Sequence, residues 1–535
     1  MSADQKGDAA AAEAIRSGRA VLGIELGSTR IKACLIGDDP AVTIATGGHS
    51  WENRFVDRLW TYSVDDIWAG LQHAYAELVA DVQERYGEQL TELKAIGVSA
   101  MMHGYLPFDA HGELLVPFRT WRNTNTAAAA ARLSELFGVN IPLRWSVAHV
   151  YQAALDAEPH VPEIAFTTTL AGYVHWRLTG RKVLGVGDAS GMFPIDSVTH
   201  DYDAELLGRF DELAGDALAA PLGELLPQVL TAGSPAGTLT PEGAALLDTS
   251  GALRPGAPLC PPEGDAGTGM VATNAVAPRT GNVSAGTSIF AMVVLERALR
   301  RPHHELDLVT TPSGDPVAMV HCNNGASELA EWAGVFGRFA EASGNPLDAD
   351  AVFEVLFREA LMGDSDAGGL LAYNYLAGEP ITDTAEGRPL LLRTPDSRFS
   401  LANVMRAQLY GVFGTLSIGM RVLDDEGVEL DRMHAHGGIF RTAGVAQRFL
   451  AAALDAPVAV AETAAEGGAW GIAVLASYLE QASDHDLAGY LSESVFGATA
   501  PRIVEPDADD VAGFAAYLDR YRDGLAVERA AVDAL

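Results

Sequence analysis

The chain has 535 residues, of which 48% are hydrophobic and 20% charged, the composition of an ordinary globular protein long enough for two large domains rather than one core. Its 36 Lys and Arg stand against 71 Asp and Glu, a formal charge of −35, and so acidic a surface repels nucleic acid and anionic membranes and leaves any phosphate ligand dependent on locally placed donors and a metal ion. No stretch approaches the roughly 18 to 20 unbroken apolar residues that span a bilayer, and Asp4, Lys6, Asp8, Glu13 and Arg16 interrupt the N-terminal segment where a secretory leader would be apolar, so a cytoplasmic location is expected.

The first predicted element is Gly23-Ile-Glu-Leu-Gly-Ser-Thr-Arg-Ile-Lys-Ala-Cys-Leu-Ile36, a strand, a Gly-Ser-Thr turn and a second strand. Such a turn presents backbone N–H groups and hydroxyls to an anion. From Asp65 to Tyr86, the residues Ile67, Leu71, Tyr75, Leu78 and Val82 recur at helical spacing. Leu93 to Ala100 follows as an apolar strand ending in the loop Met101-Met-His-Gly104, and this order predicts an α/β layer with its chemistry in loops beyond the strand ends. Leu206 to Pro262 is dense in Gly, Pro and Ala and leads to Glu263-Gly-Asp-Ala-Gly-Thr-Gly269, a loop that lets backbone approach a ligand closely.

A second domain is expected from near Val276. Asn282-Val-Ser-Ala-Gly-Thr-Ser-Ile-Phe-Ala-Met-Val-Val-Leu295 repeats the first hairpin: aligned without gaps, Gly27 falls on Gly286, Ser28 on Thr287 and Thr29 on Ser288, 259 positions apart. The pair predicts a duplicated domain that grips a polyphosphate from both sides. Only the first copy carries Glu25 and Lys32, where the second has Ser284 and Ala291. Further on, helices are predicted over 400–423 and 443–454 and a strand over 456–460. Gly467-Gly-Ala-Trp-Gly471 opens an apolar helix running to Leu479, its glycines suiting either a nucleotide at the helix start or close helix packing. The three cysteines, Cys34, Cys260 and Cys322, are far apart with no CxxC pair, which argues against a disulfide framework or a structural zinc site.

Both hairpins, Met102-His103-Gly104, Gly264-Asp-Ala-Gly267 and the late pairs Gly437-Gly438 and Gly467-Gly468 stand in an order that resembles the FGGY family of carbohydrate kinases, from about residue 20 to about residue 480. The resemblance implies an α/β protein of two actin-like (ribonuclease H-like) domains with a cleft between them. Residues 20–274 would carry the sugar site and catalytic base, and residues 275–535 the nucleotide site. Asp265 takes the place of the family's catalytic base. Gly27, Ser28, Thr29 and Lys32 match its first phosphate motif, and Gly286, Thr287 and Ser288 its second. Gly437, Gly438, Gly467, Gly468 and Ala469 match segments that cradle adenosine. Met102 and His103 correspond to a pair lining the ketose site of xylulose kinases, with Trp121 and Asn123 near the same pocket. ATP and Mg²⁺ are the implied cofactors, with Glu25 meeting the metal through water; a homodimer is the family's habit.

Three departures bear on the substrate. The usual Asp of the first hairpin is Glu25, the usual Trp-x-Asp-x-Arg is Trp121-Arg-Asn-Thr-Asn125, and the Gln that often precedes Met-His is Met101. Met101-Met-His-Gly-Tyr105, Phe118-Arg-Thr-Trp-Arg-Asn123 and Gly187-Asp-Ala-Ser-Gly-Met-Phe193 look most like a subgroup of pentulose kinases, so phosphorylation of the 5-hydroxyl of L-ribulose or D-xylulose is expected. The alternatives are a kinase for glycerol, a hexulose or a deoxy sugar, or a sugar- and nucleotide-binding regulator that has lost turnover.

Overall fold

The structure, a computed structural model, describes residues 3–460, 467–498 and 501–535. The chain forms two compact units. The first takes in the described residues up to Val276 together with 308–317 and 467–498, and the second holds 277–307, 318–460 and 501–535. A single boundary at 274/275 therefore understates the path of the chain, which returns to the first unit at 308–317 and again at 467–498.

In the first unit, β1 (Val21–Leu26), β2 (Arg30–Ile36), β3 (Thr43–Ser50), β4 (Ala95–Ala100) and β5 (Glu263–Gly264) form a sheet of order β3-β2-β1-β4-β5. β1 pairs antiparallel with β2 and parallel with β4. Every residue of β1 and β4 is buried, which is why both are mainly apolar, with Glu25 and Ser99 the polar exceptions. Helix α1 (Val64–Tyr86) covers β3; Ser63 caps it by accepting from the Asp66 N–H at 3.0 Å, a contact worth about 1 kcal/mol, and Gly87 ends it at φ 66°. Helix α2 (Asp265–Ala272) leaves β5 with no intervening loop. The Gly467–Tyr478 helix packs on β1 and β4, and a Cβ on Gly23 would lie only 2.0 Å from the Ala469 carbonyl oxygen. This close approach is what draws the late segment back into the first unit.

In the second unit, β6 (Thr280–Ala285), β7 (Ile289–Val294), β8 (Pro316–Cys322), β9 (Arg432–His436) and β10 (Val458–Val460) run in the order β8-β7-β6-β9-β10. β6 is antiparallel to β7 and parallel to β9. The third, second, first, fourth, fifth order is the one found in the first unit, so the repeated hairpin is the opening of a repeated, actin-like sheet. Helices α3 (Ser327–Ala342), α4 (Ala349–Ala360), α5 (Leu401–Asp425) and α6 (Val445–Leu454) belong to this unit, and Ser400 caps α5 through the Asn403 N–H. All three cysteines are buried. Among the described residues no helix is long and apolar enough to cross a membrane.

Candidate functional site

Asp265 begins α2, half-buried where β5 meets the helix. Its Oδ1 accepts from the Met102 N–H at 3.1 Å, which ties the Met-His loop to the acid. Desolvation, reinforced by the nearby Glu25 carboxylate, raises its pKa to about 6 against the acceptor bonds from Met102 and Ala266. A carboxylate of that basicity is ionised at neutral pH yet able to take a proton.

Glu25 and Lys32 are register partners on β1 and β2, and Lys32 Nζ lies 3.1 Å from Glu25 Oε2. Glu25 is 8% exposed, so this ion pair is largely removed from water and its ammonium is fixed beside the Gly27-Ser28-Thr29 turn. Gly468 packs on the same carboxylate: its Cβ would fall 2.7 Å from Glu25 Oε1 and 2.9 Å from Thr268 Oγ1. Gly468 thus packs closely against β1 and α2 in the first unit, whereas a Cβ on Gly467 would meet nothing nearer than Lys32 Nζ at 3.8 Å. Residues 461–466 lie outside the described residues.

Met102 and His103 are both buried. His103 has φ 67°, a conformation held here because the ring is fixed from two sides. Its Nδ1 lies 3.2 Å from the Gly191 carbonyl, which places the ring proton on Nδ1, and the ring stacks with Trp145 at 6.5 Å. Trp121 is half-buried, its Nε1 donating to Ser28 Oγ at 3.1 Å. Asn123 departs from the expectation. Its Oδ1 accepts from the Trp60 N–H at 2.9 Å while Nδ2 donates to the carbonyls of Trp60 and Thr120. Both amide donors serve the backbone, so Asn123 clamps the 54–61 hairpin and leaves no N–H for a sugar; Asn125 is exposed.

Two acids that the sequence reading did not single out are buried near Asp265. Glu263 accepts from the N–H groups of Gly187 and Asp188, at 3.3 and 2.9 Å. Asp188 accepts from Thr169 Oγ1 at 2.6 Å, and its Oδ1 has no partner among the described residues. Burial, and for Glu263 the neighbouring Asp188 carboxylate, pushes both up to about 8. Because their folded pKa values lie above the unfolded ones, the stability they contribute is full below about pH 4 and is lost as pH rises through about 8. Thermal melts between about pH 5 and 9 will show a falling Tm in the wild type and a flatter curve in Glu263→Gln, the gap changing by about 2–4 °C; parallel curves would contradict this.

In the second unit, the Gly286-Thr287-Ser288 turn is closed by Gly286 N–H to Ser288 O at 2.9 Å and braced by the N–H groups of Gly325 and Ala326, which donate to the carbonyls of Thr287 and Gly286. Gly437 rests against the end of β6, where its Cβ would meet the Ala285 carbonyl at 2.0 Å, whereas Gly438 has open space. Gly286 and Gly438 share the wall of a cavity of about 530 Å³. Phe353 and Phe357 of α4 supply an apolar wall, and the charged lining is balanced, Arg358 and Arg441 against Asp350 and Glu354, with Arg358 paired to Glu354 at 2.9 Å. None of these lining residues was foreseen, although the Phe pair stands at i, i+4 on one helix face. A glycine turn beside an aromatic-walled pocket that also carries Arg441 suits the phosphates and base of a nucleotide.

The profile of the FGGY family of carbohydrate kinases, N-terminal domain, matches residues 20–252, and that of the same family's C-terminal domain matches residues 281–480. The chain is similar to a xylulose kinase of Streptomyces rubiginosus, 27% identical over 173 residues, which spans only 34% of that protein and 30% of this chain. Similarity to a xylulose kinase of Klebsiella pneumoniae is 23% over 435 residues, covering 78% of this chain and 81% of that one. The fold is also that of a "xyloylose kinase" from Brucella ovis, with a TM-score of 0.77 at 21% identity over 95% of this chain and 99% of that one. The two halves of the chain, matched in order by the two domain profiles and built on one repeated sheet, belong to the FGGY family of carbohydrate kinases.

Proposed function

We propose that the protein is an ATP-dependent sugar kinase that phosphorylates the 5-hydroxyl of a ketopentose, L-ribulose or D-xylulose. The observation that carries this is the half-buried Asp265, tied through Met102 to the Met-His loop and raised to the basicity of a general base. The sugar oxygen attacks the γ-phosphorus, the bond from that phosphorus to the β,γ-bridging oxygen breaks, ADP leaves, and Asp265 takes the hydroxyl proton. Lys32 and the N–H groups of the Gly27-Ser28-Thr29 turn neutralise and hold the transferring phosphoryl group. Gly286, Thr287, Ser288, Gly437 and Gly438 hold the nucleotide. Met102, His103 and Trp121 face the sugar; Asn123 holds the 120–123 turn that carries Trp121 against the 54–61 hairpin.

Among the described residues no three His, Cys, Asp or Glu side chains form a self-contained metal site. Glu25 and Asp265 are nonetheless hard oxygen donors whose mutual repulsion a cation would relieve, which suits Mg²⁺ held mainly by ATP phosphates and reached through water. When bound with ATP, Mg²⁺ supplies charge neutralisation of the phosphates. The reading places the enzyme in the cytoplasm, acting on small molecules.

The test is ADP release with L-ribulose, D-ribulose, D-xylulose, L-xylulose, glycerol and L-rhamnulose. A ketopentose is expected to exceed glycerol and L-rhamnulose in kcat/KM by about tenfold or more, since a site that hydrogen-bonds a hydroxyl rejects analogues lacking it. Preference for glycerol or L-rhamnulose would move the substrate class. Tight binding of one sugar with no stimulated release would favour the regulator.

A further inference from the structure

The first hairpin turn is held by three aromatic side chains remote from it in sequence. Trp51 Nε1 donates to the Gly27 carbonyl at 2.7 Å, the Tyr62 hydroxyl donates to the Ser28 carbonyl at 2.5 Å, and Trp121 Nε1 donates to Ser28 Oγ at 3.1 Å. The Trp51 N–H also donates to the Thr29 carbonyl at 3.1 Å. Trp51 and Tyr62 stack at 4.1 Å between ring centres, and both are buried, so neither ring can swing away without opening the core.

In a trans peptide the carbonyl and the following N–H point in opposite directions. Trp51, by drawing in the Gly27 carbonyl, turns the Ser28 N–H outward; Tyr62, by drawing in the Ser28 carbonyl, does the same for the Thr29 N–H. Among the described residues no acceptor takes either N–H. An indole nitrogen can only donate, so Ser28 Oγ accepts from Trp121 and keeps its own proton for another acceptor. The turn is thereby left with the Ser28 and Thr29 N–H groups and the Ser28 hydroxyl proton among its outward donors, and with all three of its carbonyls engaged.

We propose that Trp51, Tyr62 and Trp121 are positioning residues that lock the Gly27-Ser28-Thr29 turn in its anion-accepting orientation, and that Trp121 couples this lock to the sugar side. The inference rests on the assignment of that turn to the transferring phosphoryl group. Without the Tyr62 hydroxyl the peptide after Ser28 can rotate and turn its carbonyl toward the phosphate, which repels it.

The test uses Tyr62→Phe and Trp121→Phe in the full chain, each keeping an aromatic ring and losing one donor. Tyr62→Phe is expected to lower kcat by about tenfold with KM for the sugar changed less than about twofold, a fraction of the loss that follows outright removal of an oxyanion donor. By calorimetry, affinity for a non-hydrolysable ATP analogue should fall by about tenfold while affinity for ADP, which lacks the third phosphate, stays within about twofold. Trp121→Phe should move the same quantities in the same direction by about threefold. A folded Tyr62→Phe whose kcat and ATP-analogue affinity both match wild type would overturn the proposal, as would equal loss of ADP and analogue. If Tyr62→Phe does not fold, the same outcomes are read on Trp121→Phe. If the wild type phosphorylates no sugar, the functional reading fails, and the calorimetric comparison still decides the inference.

Discussion

Asp265→Asn is expected to reduce kcat by about 10³-fold with saturating sugar and ATP, while both KM values stay within about threefold. The amide oxygen can still accept from the Met102 N–H, so the link to the Met-His loop survives and only the proton acceptor is lost. The same acid sets the pH dependence. Its pKa is raised to about 6 by desolvation and by Glu25, so wild-type kcat should rise with pH through about 6 and level off above it. The variant's residual activity should lack that limb. Near wild-type turnover at saturation would remove Asp265 from the role of base, and an unchanged acid limb would assign the titration elsewhere.

Lys32→Met should lower kcat by about 10²-fold, the usual cost of removing one fixed positive or donor group from developing phosphate charge. The substitution also strips Glu25, 8% exposed, of its ionic partner 3.1 Å away, so a drop in Tm accompanies it. The double variant Glu25→Gln/Lys32→Met separates the two effects. Removing both charges should recover most of the Tm, because no buried charge is left uncompensated, and none of the rate. Recovery of the rate together with the Tm would reduce Lys32 to a structural partner of Glu25.

The hairpins were legible in the sequence because each depends on local chemistry: apolar strands on either side of a glycine and hydroxyl turn. The caps of α1 and α5 were equally local, and both helices begin and end within two residues of expectation. Asn123 was misread because replacing a charged residue by an amide says nothing of which partners the amide will find; the backbone of Trp60, 63 positions earlier, takes its Oδ1 and one of its N–H groups. The same separation in sequence hid the roles of Trp51 and Tyr62, which stand in no motif, and the mutual proximity of Asp188 and Glu263, which stand in two separate ones.

By itself the sequence determined the duplicated α/β plan and the order of the glycine turns, and it singled out Asp265 as the candidate base, since periodicity, turn residues and motif spacing are properties of neighbours along the chain. Only the tertiary structure decided that the Gly467–Tyr478 helix belongs to the first sheet, that two acids are buried near Asp265, and that three aromatic side chains donate to the first turn. Those outcomes depend on desolvation and on directional hydrogen bonds between residues tens to hundreds of positions apart, and such terms take a value only once packing has brought the groups together.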